Sequence, residues 1–160
     1  MATDARPVVV AFDGSAEARA AIAGAVTLFP GRRVVVVSVW EPGLALALAP
    51  TRDMTGIGYP PPSVEEVEAL DEVQQDHALE AAEAGATLAR ELGATAEPHP
   101  VADEAHVADM IAAIADRVDA CAIVVGSRGL GGVRSRLFGS TSRDVLQRTD
   151  RPVLVVKAPG

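Results

Sequence analysis

Pro7-Val8-Val9-Val10-Ala11-Phe12-Asp13-Gly14-Ser15, residues 7–15, is the stretch on which the fold turns. Its first six residues are apolar and rich in valine, the composition of a strand buried on both faces. Asp13-Gly14-Ser15 then turns the chain into a helix over 16–29, capped by Ser15 or Asp13. Ala18, Ala21, Ile22, Ala25, Val26 and Phe29 recur at the three-to-four spacing of one helical face, and Pro30-Gly31 stops the helix.

The same alternation continues to the C-terminus. Residues 33–40 read as a second strand, apolar on both faces. Residues 41–62 are a long loop rich in Pro and Gly, made greasy by Leu44, Leu46 and Leu48. It fits either a covering for the domain's own surface or a lid or partner contact. Ser63-Val64-Glu65-Glu66 is a capping box, and the helix behind it runs to Leu92, with Gly93 as its stop. Residues 94–101 are a third strand whose Pro98 and Pro100 place it at a sheet edge. Asp103 is read as the cap of a helix over 104–118, with Val107, Ile111, Ile114 and Val118 inward. Strands over 121–125 and 152–157 flank a glycine-rich segment, 126–139, and a helix over 140–149. Strands separated by helical crossovers imply a doubly wound parallel sheet with helices on both faces. Ligands of such sheets bind beyond the carboxyl ends of the strands, where Asp13 and Gly126 lie.

Composition narrows the function classes. The 160 residues are 49% hydrophobic and 22% charged, ordinary for one globular domain spanning 1–160 and unlike a disordered chain. A net charge of −8 disfavours nucleic acid and anionic membranes as partners. The single cysteine, Cys121, lies in an apolar run and reads as a buried free thiol. With no signal-type leader and no apolar run of bilayer length, a soluble protein of the reducing cytoplasm is expected.

The chemistry concentrates in Gly126-Ser127-Arg128-Gly129, followed after nine residues by Gly139-Ser140. A glycine leaving a strand lets a ligand approach the backbone, and Gly129 permits a left-handed turn that could gather amides into an anion nest. Gly139 and Ser140 open a helix whose free N–H groups suit phosphate, and Thr141 and Ser142 add hydroxyls. Arg128, Arg134, Arg136 and Arg143 make residues 126–143 basic, with no acid among them. A flexible loop kept soluble by its arginines would show the same composition.

This pattern resembles the universal stress protein family, in particular its ATP-binding branch. The family motif, G-x-x-G, nine residues, then G-[S/T], is met by Gly126, Gly129, Gly139 and Ser140 without a gap. Phe12-Asp13-Gly14-Ser15, Val39 and the terminal Arg151-Pro152-Val153-Leu154-Val155-Val156 match as well, so the likeness covers essentially the whole chain. It implies a five-stranded sheet in the order 3-2-1-4-5, the adenine-nucleotide alpha-hydrolase-like architecture. It also implies that Asp13 contacts the ribose and that Val39 holds adenine through its backbone. Gly126 and Gly129 would line ribose and phosphates. Gly139, Ser140 and Ser142 would grip the phosphates, beside the charge of Arg128. The implied cofactor is ATP, with or without Mg2+, in a stress-response or regulatory module that is not a fast enzyme. A homodimer through the last strand is implied too. An interaction protein of the same fold without useful nucleotide binding, or a slow ATPase, are the alternatives. Thr141 stands where the family often has valine.

Other sites find less support. Asp13 also fits a plain helix cap, and Trp40 fits core or loop packing better than stacking on a base. His77, His99 and His106 lack zinc spacing and suit helix-surface or edge-strand positions, so no metal site is expected. The only lysine, Lys157, leaves no Walker loop. No G-x-S-x-G elbow is present, and no catalytic residue is assigned.

Overall fold

Valine runs without a polar side must be covered on both faces, and the chain places them in the middle of a sheet. The computed structural model describes residues 5–43, 62–128 and 139–159. Five strands, β1 (Val8–Ala11), β2 (Val34–Trp40), β3 (Ala96–Ala102), β4 (Ala122–Gly126) and β5 (Val153–Val156), pair in parallel in the order β3-β2-β1-β4-β5. Among the described residues four helices join them: α1 (Ala16–Leu28), α2 (Val64–Glu91), α3 (Val107–Arg117) and α4 (Ser140–Arg148). Val8, Val10, Val34, Val36 and Val124 pack under α1 and α2. Val9, Val35, Val37, Ile123 and Val125 pack under α3 and α4. Each such side chain contributes about 1.5–3 kcal/mol relative to exposure, so the central strands anchor the fold.

Local chemistry sets the helix starts. Ser15 caps α1, its Oγ accepting the Ala18 N–H at 3.1 Å. Asp13 is therefore not the cap. Its Oδ1 accepts the Ser15 N–H at 3.0 Å across Gly14, whose φ of +81° favours glycine. Ser63 and Glu66 form the reciprocal capping box of α2. The buried stripe of α2 is small, Ala78, Ala82, Gly85, Ala86 and Ala89, which brings the helix close to the sheet.

The start of α3 corrects the sequence reading. Asp103 does not cap it. Asp103 Oδ1 accepts the Ala105 N–H in a local turn, and the helix begins at Val107 with His106 as its cap, Nδ1 accepting from the Ala108 N–H. The short carboxylate satisfies the nearest amide and delays the helix. Cys121 also departs from expectation: it is free but only half-buried, since it precedes β4 at the sheet's margin. Of the three histidines, His77 is on an exposed helix face and His99 on the edge strand; His106 is the cap.

The two sheet edges differ. The Val34 N–H donates to Thr95 C=O and the Asp103 N–H to Trp40 C=O, so odd-numbered residues of β3 face β2. Pro98 and Pro100 therefore face outward, where a missing N–H costs no ladder bond and blunts the edge. On β5 the Pro152 and Val156 carbonyls accept from Ile123 and Ser127, so Val153 and Val155 present their N–H and C=O groups outward. That edge carries no such block.

His99 lies on β3 with Arg117 Nη2 2.6 Å from its Nε2. Partial burial, then the Arg117 charge, push its pKa below 6.5 against the opposing pull of Glu97. The unfolded chain thus binds this proton more readily than the folded one, and the contribution is present above pH 6.5 and lost as pH falls below it. Urea midpoints taken from pH 7.5 downward should fall less for His99→Gln than for the parent. Equal falls would contradict this account.

Candidate functional site

The strands are parallel, so β1, β2 and β4 deliver Asp13, Val39 and Gly126 to one rim. The winding direction reverses between β1 and β4 there, which opens a crevice. Asp13 is exposed at the end of β1. Val39 is half-buried near the end of β2. Even-numbered residues of β2 bond β3, so odd-numbered ones face β1. The last bond of that pair runs from the Phe12 N–H to Val37 C=O at 2.8 Å. One step further, Val39 points its N–H and C=O over the end of β1, a donor and an acceptor side by side at the crevice.

The other half of the site is built around Ser127. Its N–H donates to Val156 C=O at 2.7 Å, and its C=O accepts the Gly139 N–H at 2.6 Å. The first bond fastens Ser127 to the end of β5, and the second ties Gly139 to Ser127. Ser142 Oγ donates to Gly139 C=O at 3.1 Å from inside the first turn of α4. Ser142 is buried, so its hydroxyl supports the segment's base. Gly139 caps α4 without a side-chain hydrogen bond, at φ −68° and ψ 167°. Ser140 is exposed and Thr141 half-buried at that helix start. Ser127 itself is 1% exposed, and its Oγ has no hydrogen-bond partner among the described residues. Sequence reading passed over Ser127; its signal was the strand alternation carried one residue beyond Gly126. Gly129, Arg134 and Arg136 lie outside the described residues.

Gly126 has a different reason for being glycine than the one its motif suggests. A Cβ there would lie 2.8 Å from the backbone carbon and Cβ of Glu17 and 3.0 Å from the Ala18 nitrogen. The missing side chain admits the first turn of α1. That contact brings Glu17 beside Arg128, whose Nε is 3.7 Å from Glu17 Oε1. Glu17 is a rim carboxylate that the sequence reading did not place.

Charge divides the rim. At the β2 and β3 end an open hollow of about 420 Å³ is lined by Glu41, Asp103, Glu104 and His106, among others. At the β4 end stand Arg128 beside Glu17, the start of α4 with its positive dipole and no side-chain cap, and Arg143 beside Asp144, which His106 of the hollow also approaches at 3.6 Å. An elongated ligand with one anionic end meets repulsion at the first and donors at the second. Among the described residues no group of three or more His, Cys, Asp or Glu could hold a metal ion. Nor is any described helix long and apolar enough to cross a membrane.

The sequence model of the universal stress protein family matches residues 5–157. The chain belongs to the universal stress protein family. The universal stress protein of Archaeoglobus fulgidus is similar in structure: TM-score 0.63 and 30% identity, over 95% of this chain and 93% of that one. A universal stress protein from Archaeoglobus fulgidus in complex with dAMP matches at TM-score 0.60 and 28% identity, over 95% of this chain and 98% of that one. An Arabidopsis thaliana universal stress family protein with AMP bound shares the fold at TM-score 0.64 and 17% identity, over 97% and 93%. No curated protein sequence matches the chain.

Substituting Gly126 tests the packing role of that residue. Gly126→Ala must push the α1 backbone away, which costs about 1–3 kcal/mol in a well-packed region. Urea denaturation should show that loss without added nucleotide. An unchanged midpoint would return Gly126 to a purely ligand-directed role.

Proposed function

We propose that this universal stress protein is a regulatory adenine-nucleotide-binding module that holds ATP across the rim and turns it over slowly or not at all. The observation that carries this reading is the polarity of the rim. The Val39 backbone offers adenine a donor and an acceptor, and Asp13 stands between for the ribose. Gly126, Gly129, Gly139 and Ser140 take the phosphates, with the charge of Arg128. Ser142 acts from below by holding Gly139 in place. The A. fulgidus complex with dAMP and the Arabidopsis protein with AMP support an adenine nucleotide as the ligand class. ATP, with or without Mg2+, is the finer assignment, supported by the sequence motif of Gly126, Gly129, Gly139 and Ser140. The stress-response role rests on the family.

Slow turnover fits the partners that the rim's carboxylates already have: Glu17 faces Arg128, and Asp144 faces Arg143 and His106. Fast phosphoryl transfer needs a group that orients the attacking water. Asp13 Oδ1 already accepts the Ser15 N–H. Asp116 and Asp119 bind Arg151 at 2.7 and 3.1 Å at the opposite end of the sheet. A second reading, an interaction protein of this fold without useful nucleotide affinity, is favoured by one fact: helix packing alone accounts for Gly126.

The two readings separate at Gly139. Its φ of −68° is one that valine adopts without strain, so Gly139→Val should fold normally. Its side chain would obstruct the helix start, and calorimetry should show ATP affinity reduced at least about tenfold, a loss of ~1.4 kcal/mol. Unchanged affinity in a folded variant would remove the phosphate assignment. Absence of nucleotide binding in the parent protein would establish the second reading.

The open β5 edge supports a homodimer in which two such strands pair across a two-fold axis. The proline-blunted β3 edge leaves β5 as the available side. Light scattering at tens of micromolar should give the dimer mass for the parent and the monomer mass for Val155→Lys. A monomeric parent, or a variant of unaltered mass, would contradict this.

A further inference from the structure

The pair formed by Glu17 and Arg128 bears on which nucleotide the site prefers, and this inference rests on the nucleotide-binding reading above. Glu17 is the more enclosed partner, its side chain 19% exposed against 38% for Arg128. Its position is not that of a loose surface residue. The α1 backbone at Glu17 and Ala18 is pressed against Gly126, so packing fixes the root of this side chain at the rim. It also lies in the first turn of α1, where the helix dipole favours negative charge. Arg128 follows Ser127, whose C=O receives the Gly139 N–H, so the backbone that carries the guanidinium is tethered next to the start of α4. The pair meets through Nε at 3.7 Å, an ion pair too long for a hydrogen bond. A guanidinium can take a phosphate in the stronger two-donor geometry.

We propose that Glu17 is a specificity-determining residue that, by holding Arg128, restrains the preference of this site for nucleoside triphosphate over monophosphate. A nucleotide with a longer phosphate chain brings more negative charge to the β4 end. To engage Arg128 it must displace Glu17. A monophosphate has less charge with which to do so and leaves the pair closed. Glu17 thus acts through Arg128 as a positioning residue and need not touch the ligand.

The test is a calorimetric comparison of ATP and AMP with the full chain, for the parent, Glu17→Gln, Arg128→Ala and the double variant. Glutamine keeps the size of the side chain, and a thermal melt confirms that each variant folds. Releasing an exposed ion pair alters binding by about three- to fivefold. Glu17→Gln should therefore tighten ATP by about that factor while moving AMP less than twofold. Arg128→Ala should weaken ATP more than AMP. In the Arg128→Ala background the Glu17 substitution should no longer change the ratio of the two affinities. If Glu17→Gln shifts ATP and AMP equally, or neither, the specificity role is overturned while the nucleotide-binding reading stands. If the ratio shifts as much without Arg128, the route through Arg128 is overturned. A parent protein that binds neither nucleotide overturns the proposed function, and this inference with it.

Discussion

The backbone of Glu17 and Ala18 lies so close to Gly126 that no Cβ could fit between them. That contact fixes the first turn of α1 against the end of β4, and the geometry of the rim follows from it. The turn carries the Ser15 cap and the Asp13 carboxylate, so the residue proposed to face the ribose is positioned through the same approach. Immediately after Gly126, Ser127 reaches sideways to Val156 and forward to Gly139. One closely packed glycine therefore registers three strands and two helix starts with respect to each other.

From that frame the electrostatics follow. A parallel sheet puts all strand ends with the same polarity on one side, and the side chains at those ends decide what can sit there. Acids gather beyond β2 and β3, while Arg128 and an uncapped helix start stand beyond β4. The chain as a whole carries a net charge of −8, and at the β4 end each described arginine stands beside a carboxylate, Arg128 by Glu17 and Arg143 by Asp144, so the donors there are local and balanced. A nucleotide has an uncharged base and a charged tail, and in the proposed reading the rim offers each a separate place.

Much of this was legible in the sequence because burial leaves strong marks on composition. Val8 to Val10 and Val34 to Val37 could only be central strands, and Pro98 with Pro100 could only be an edge. The strand order and the family motif agree with the sheet that forms. What failed was local competition between polar groups. Asp103 satisfied Ala105, and His106, an unusual capping residue, took the helix start. The reason for Gly126 was hidden for a different cause. An absent side chain makes room equally for a ligand or for a helix, and only the position of α1 decides. Glu17 and Ser127 were missed because each acquires its role from a contact distant in sequence, with Arg128 and with Gly139 and Val156.

The central claim is that one rim of the sheet binds an adenine nucleotide lengthwise, base toward β2 and phosphates toward α4. Amide chemical-shift mapping during an ATP titration tests it most directly. The amides of Asp13, Val39, Ser127, Arg128, Gly139 and Ser140 should shift together and saturate with one affinity. Those at the opposite rim, such as Arg33, Ala120 and Arg151, should stay in place. Shifts confined to the opposite rim, or to the α4 end with Val39 unmoved, would contradict the account.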